Sequence, residues 1–363
     1  MQLFACPSCG GTLYFDNLAC TNCGAALVFD PDGFAMRLPD QAAPCANREA
    51  IGCNWRADPS ASPAGGPNAD PTGAPPQDPT GPAPRDNGAA APGDHDAHAA
   101  GSLCRACALT RVRPDLSVDE NRRLWTLAEA DKRRVLAGLE RLGWFGADDP
   151  GPAPVFHLLA ERTAAGADAP VMGHADGRIT LNIAESDPAE IAFRRERLNE
   201  PFRTMVGHVR HEIGHFLYVR LGVDPAVAPQ IDRAFGPETR DYAQALRVHY
   251  EQGPPADWRD RHVTAYASCH RDEDWAETAA HALHLLDLLD SARAAGLAPE
   301  PHGPPAQDPA GTVAAGLTLG LALNHANRAL GLADAYPFVV SPIVRDKLET
   351  ALRLIAQGPP RPV

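Results

Sequence analysis

The stretch His211-Glu212-Ile213-Gly214-His215 sets two imidazoles four residues apart, with a carboxylate beside the first. On a helix, residues four apart share a face, so both rings can bind one metal ion while Glu212 reaches a water held there. This arrangement suits metal-assisted hydrolysis. Zinc, the ion matched to such donors, lowers the pKa of water, and the glutamate takes the proton as general base and returns it to the leaving group as general acid. His208, three residues before His211, lines the same face; with two helical ligands already present, it reads as a supporting or packing residue. Ile213, Phe216 and Leu217 give the motif an apolar setting, whereas chance occurrences of the pattern usually lie on surface helices.

A hydrolytic zinc usually has a third protein ligand and an open position for water. The stretch 266–281 supplies the candidates. Glu273 and Glu277 are again four apart, so one can bind the metal while the other accepts the second ring N–H of a ligating histidine. Glu273 is assigned as ligand and Glu277 as the histidine's partner, and exchange of these two roles is the open alternative. Asp274 points about 100 degrees away from the Glu273 face. Tyr266 is the candidate hydrogen-bond donor to a tetrahedral oxyanion, although a tyrosine half-buried at a helix entrance fits the sequence equally well. Cys269 reads as an inert thiol, and His249, His262, His270, His281 and His284 as surface or core residues.

Eight of the nine cysteines fall in the first third of the 363-residue chain. Cys6, Cys9, Cys20 and Cys23 form two Cys-x-x-Cys knuckles flanked by short apolar stretches. Four thiolates so spaced close a tetrahedron around zinc, and the metal supplies folding energy that so small a segment lacks. Cys45, Cys53, Cys104 and Cys107 make a looser second set, interrupted by 57–101, which is rich in Pro, Gly, Ala and Asp and has no aliphatic periodicity. Composition predicts disorder there. Loop length adds closure entropy only logarithmically, so such an excursion is compatible with one second zinc site; four ordinary reduced cysteines are the alternative.

The elements that must position the His-Glu-x-x-His motif follow. Ser117-Val118-Asp119-Glu120 predicts a capping box opening a helix with a buried stripe to Gly143. Strands are expected at Val155–Leu159 and, after a turn at Ala175-Asp176-Gly177, over 178–184. The latter is expected to be an edge along which an extended peptide pairs. Helices are expected over 201–221, 276–289, 312–330 and 341–355.

A net charge of −13 and a pI of 5.5 argue against a general nucleic-acid or anionic-membrane binder, because the long-range field repels polyanions, and leave room only for a local basic patch. The start has no basic and apolar leader pattern, and the most apolar later run is too short to span a bilayer. Thiolate-rich zinc sites without an export signal point to the cytoplasm.

These residues resemble a bacterial family of zinc-binding metallopeptidases with an N-terminal zinc-ribbon region. The resemblance rests on Cys45-Ala46-Asn47, Ile51-Gly52-Cys53-Asn54-Trp55, Leu103-Cys104 with Cys107, Leu109-Thr110-Arg111, Pro114-Asp115-Leu116-Ser117, the run from Phe202 through His215, Glu273-Asp274-Trp275-Ala276-Glu277 and Asp334-Ala335-Tyr336-Pro337-Phe338. It covers nearly the whole chain outside the insertion, where the chain departs from the pattern. The spacing of Tyr266, Glu273 and Glu277 is also similar to the centre of anthrax lethal factor, where the matching glutamates bind the metal and hold a histidine, and the tyrosine assists catalysis. The resemblance implies a zincin-like peptidase of the gluzincin type.

The expected architecture is α+β: a double zinc ribbon (1–56), the insertion (57–101), completion of the second zinc site (102–116) and a helix-rich catalytic domain with a small sheet (117–363). One catalytic and one or two structural zinc ions are expected, with a peptide or protein substrate and ribbons that offer a surface to a protein partner. The rival readings are a non-enzymatic adaptor whose ribbons bind protein or nucleic acid, and a zinc amidase or isopeptidase.

Overall fold

The structure, a computed structural model, describes residues 2–60 and 101–360, apart from 168, 199, 201, 238 and 300–302. Of the stretch expected to be disordered, 61–100 lies outside the described residues.

The N-terminal region is built from minimal pieces. Strand β1 (Phe4–Ala5) pairs antiparallel with β2 (Thr12–Leu13), and β3 (Val28–Asp30) with β4 (Ala35–Arg37). Hairpins this short do not persist alone in water. Here they close over a buried aromatic cluster, in which the Phe29 ring lies 4.8 Å from that of Phe15 and 5.6 Å from that of Trp55. Two single-turn helices, α1 (Arg48–Ile51) and α2 (Arg105–Ala108), complete the region. The chain on either side of the insertion lies side by side: Asp58 N donates to Leu103 O at 2.9 Å and Ala46 N to Ser102 O at 3.0 Å.

Helix α3 (Asp119–Glu140) follows β5 (Thr110–Val112); of its predicted stripe, Leu124, Ala128, Val135, Leu136 and Leu139 are buried, Leu127 is half-buried, and Leu142, also half-buried, lies past the helix end. The predicted capping box does not form. The Ser117 hydroxyl donates to Asp115 Oδ1 at 2.6 Å, and the helix starts after Val118 without a side-chain cap. The nearer carboxylate wins the serine.

Strand β6 (Val155–Leu159) pairs parallel with β5 and with β10 (Arg178–Asn182), which pairs antiparallel with β9 (Gly173–Ala175), giving the order β5-β6-β10-β9. Between β6 and β9 lies a small hairpin, β7 (Arg162–Thr163) with β8 (Gly166–Ala167). The β9–β10 turn uses Asp176 and Gly177 at φ 50 and 80, the left-handed pair that a two-residue hairpin turn demands. Here the expectation of an edge at 178–184 is corrected: β10 has a partner on each side and stops at Asn182, followed by a 3-10 turn, Ile183–Ser186. Alternation reports which face a strand buries, not how many lateral neighbours it has. The edges of this sheet are β9, next to β10, and β5 on the far side.

The remainder is helical: α4 (Pro188–Leu198), α5 (Met205–Leu221), α6 (Ala228–Phe235), α7 (Tyr242–Gln252), α8 (Trp258–Arg261), α9 (Arg271–Ala294), α10 (Pro309–Ala329) and α11 (Pro342–Ala356). Helix α9 is central and packs against α5, α10 and α11. Its crossing with α5 explains one residue inside the histidine motif. A Cβ on Gly214 would lie 3.1 Å from Ala276 Cα and 3.2 Å from Ala276 O, so only glycine fits without displacing α9. Trp275 Nε1 donates to Gly214 O at 2.9 Å and fixes the contact. Among the described residues, no helix is long and apolar enough to cross a membrane.

Candidate metal centre

The α5–α9 crossing puts one face of each helix against the other. Thr204 caps α5 by accepting from Gly207 N at 2.9 Å, and two turns later His211 and His215 project together with Nε2 atoms 3.2 Å apart. From α9, Glu273 Oε2 reaches 3.1 Å from His211 Nε2 and 3.4 Å from His215 Nε2. Zinc bonds of 2.0–2.1 Å in a tetrahedron give donor separations of about 3.3 Å, so the three atoms match three corners. Glu273 Oε2 is buried and, despite these distances, makes no hydrogen bond. Its lone pair has no aligned N–H to accept, which is how a donor aimed at a shared ion sits.

The electrostatics agree. Burial works against a charged His211, yet the neighbouring Glu273 and Glu277 carboxylates outweigh it and hold the imidazolium well above its usual range. Burial likewise opposes the Glu273 carboxylate, but His211 and His215 pull its pKa well below the ordinary value. A site whose field favours positive charge at this point favours a cation there.

His211 Nδ1–H donates to Glu277 Oε1 at 2.6 Å, leaving Nε2 to face the centre. Glu212 is buried, its Oε2 has no hydrogen-bond partner, and burial raises its pKa. The Tyr266 ring lies 6.1 Å from that of His211, with its phenol pushed upward by burial and by Glu273. His208 shares the helix face but turns to Glu185, 3.5 Å away. The five other histidines singled out in the sequence have partners of their own. His262 sits 3.2 Å from Asp274, His281 bonds the Tyr336 hydroxyl at 2.9 Å, His284 contacts Arg210, and His270 caps α9 by accepting from Asp272 N at 3.1 Å. The ring of His249 is 6.0 Å from that of Tyr266. Cys269 is buried, and desolvation pushes its thiol up to about 12.

Two neighbours escaped the sequence reading. Tyr242 donates its hydroxyl to Glu273 Oε1 at 2.5 Å; Asp241 signals a helix start there, but no spacing rule ties it to a residue 31 positions on. His174, on β9, stacks parallel to His215 at 6.3 Å between ring centroids. The turn at Asp176-Gly177 was visible and places His174 in a strand, but not its partner.

Both cysteine sets converge. Cys6 and Cys23 Sγ are 3.8 Å apart, Cys9 and Cys20 3.7 Å; Cys53 lies 3.6 Å from Cys104 and 3.7 Å from Cys107, with Cys45 in the same cluster. Zinc–sulfur bonds of 2.3 Å predict an edge of about 3.8 Å. Amide groups support the sulfurs: Cys104 N donates to Cys45 Sγ at 3.2 Å and Cys107 N to Cys104 Sγ at 3.3 Å.

With this geometry in view, the family described as "Putative zinc-binding metallo-peptidase" matches residues 121–354, and a zinc-ribbon domain matches residues 3–64. Uncharacterized proteins of Mycobacterium bovis and Mycobacterium tuberculosis are 35% identical over 360 residues, spanning 96% of this chain and 93% of theirs. No solved structure matches the chain.

Proposed function

Because this chain belongs to the zinc-binding metallopeptidase family, we propose that it hydrolyses peptide bonds, with His211, His215 and Glu273 holding a catalytic zinc and the two cysteine sets holding structural ones. The observation that carries the reading is the convergence of three donor atoms 3.1–3.4 Å apart beside Glu212, a buried carboxyl with an unpartnered oxygen. When bound, zinc supplies a Lewis acid that lowers the pKa of water toward neutrality and polarises a carbonyl.

The chain's own residues do the rest. Glu212 takes the proton from the attacking water and passes it to the leaving amine; burial, by raising its pKa toward the working pH, suits it to both steps. Glu277 keeps the His211 proton on Nδ1, so that Nε2 presents a lone pair. Tyr266 donates to the oxyanion that develops on the substrate carbonyl. An extended peptide pairs along the β9 edge, which runs past His215 at His174. A purely structural centre has no use for Glu212, and this favours an enzyme over an adaptor. Eight thiolate ligands require a reducing compartment, so the proposed setting is the cytoplasm.

Replacing Glu212 by glutamine tests the reading. Cleavage of a peptide library should fall about 10²–10⁴-fold, while the zinc content of the purified protein stays at the wild-type value. Cleavage by Glu212→Gln at the wild-type rate would overturn it.

A further inference from the structure

We infer that Tyr242 is a positioning residue for the metal centre: its hydroxyl occupies one oxygen of Glu273, so that the carboxylate offers the ion a single donor and leaves a coordination position open. This inference rests on the proposed role of Glu273 as ligand.

The two oxygens of Glu273 have opposite surroundings. Oε1 accepts from Tyr242 Oη at 2.5 Å, while Oε2 is buried without a hydrogen bond and faces the two Nε2 atoms. A carboxylate free at both oxygens can chelate an ion with both. Two histidines and a chelating carboxylate would then fill four positions, leaving a four-coordinate ion no room for water. A strong donor on Oε1 fixes the carboxylate's rotamer, so that Oε2 alone points inward and is in place before an ion arrives.

Tyr242 is itself fixed to the start of the helix that carries Glu273. Its ring meets the edge of His270, the N-cap of α9, at 5.0 Å. Two residues earlier, Arg240 donates to Cys269 O at 2.8 Å, and Asp241 caps α7 by accepting from Gln244 N at 2.8 Å. Tyrosine and carboxylate are thus held by one corner of the fold, and although Tyr242 is 43% exposed, its ring and hydroxyl are both engaged there.

The test is a double-mutant cycle on the full chain, reading Zn²⁺ affinity at this centre by competition with a chelating dye. Tyr242→Phe keeps the ring against His270 and should weaken Zn²⁺ binding about 10–100-fold, with the thermal midpoint of the metal-free protein unchanged. In a Glu273→Gln background the same substitution should cost nothing further, because the oxygen it serves has lost its charge. Co²⁺ placed in the centre should change its visible absorption in Tyr242→Phe as the carboxylate turns to offer both oxygens. Equal Zn²⁺ affinity in wild type and Tyr242→Phe, or effects that add fully in the double variant, overturns the role of Tyr242 alone. A wild-type protein that takes up zinc at the cysteines and none at this centre overturns the proposed function as well.

Discussion

Two clusters of four cysteines have nearly the same sulfur separations and almost nothing else in common. Cys6, Cys9, Cys20 and Cys23 come from one short stretch, and two of them, Cys9 and Cys23, are exposed. Cys45, Cys53, Cys104 and Cys107 join segments up to 62 positions apart in sequence and are all buried. The second cluster also lies against α3, from which Arg133 reaches it. Arg133 is 3% exposed, its Nη2 donates to Gly52 O at 3.4 Å, and its Nε and Nη1 have no hydrogen-bond partner. Burial opposes its charge, but Cys53 and Cys107 outweigh burial and raise its pKa. On the proposed reading the donor sets are alike and the surroundings differ: zinc in the first cluster would tie together two neighbouring knuckles, and zinc in the second would join the ribbon to the helical region.

The largest effect should come from breaking the joint. Structural zinc in small domains contributes about 10–16 kcal/mol, as much as or more than the whole stability of a typical domain, about 5–15 kcal/mol. Cys53→Ser should abolish the cooperative melt followed by circular dichroism and lower the bound zinc. A melt indistinguishable from wild type would remove the distinction between the clusters.

Arg133→Met sharpens the comparison further, because its size depends on metal. Four thiolates and one Zn²⁺ make a dianion, and removing its buried counter-charge should cost about 3–5 kcal/mol in denaturant unfolding of the zinc-loaded protein. In the zinc-stripped protein desolvation raises the Cys104 pKa well above its usual value, so the cluster carries less negative charge. Arg133 then has less to neutralise there, and the cost of methionine should shrink. The same loss in both forms would show that Arg133 matters through packing and not through charge.

Sequence legibility follows the same division. Local chemistry reads well: the Cys-x-x-Cys knuckles, the histidines four apart and the paired glutamates on α9 depend on spacings within one element, and the structure brings each set together. Gly214 was visible only as a residue between two histidines, and its purpose, room for Ala276, belongs to another helix. Tyr242 and Arg133 stayed hidden for the same reason, since each meets its partner through tertiary packing. The two structural expectations that failed did so through competition. Asp115 took the Ser117 hydroxyl from the helix cap, and β9 took the edge assigned to β10.

The smallest expected effect, at Cys9, is the most demanding test of the contrast. Cys9 is exposed, and Asn22 Nδ2 donates to its sulfur at 3.4 Å, which lowers its pKa to about 6. Cys9→Ser should release the zinc of the first cluster, yet shift the main unfolding transition by no more than the ~0.5 kcal/mol usual for a surface change. Peptide cleavage should stay within about twofold, as the proposed catalytic groups all lie on α5, on α9 and in the turn before α9. What links this cluster to the rest is the ribbon core, where Phe15 packs on Phe29 and Asn54 Nδ2 donates to Phe15 O at 2.5 Å. Those contacts lie beyond the knuckles, so the first zinc can leave while they persist. If Cys9→Ser melted the protein as Cys53→Ser should, Phe15 and Asn54 would be transmitting the loss, and the ribbon would be one cooperative unit with two equivalent ions.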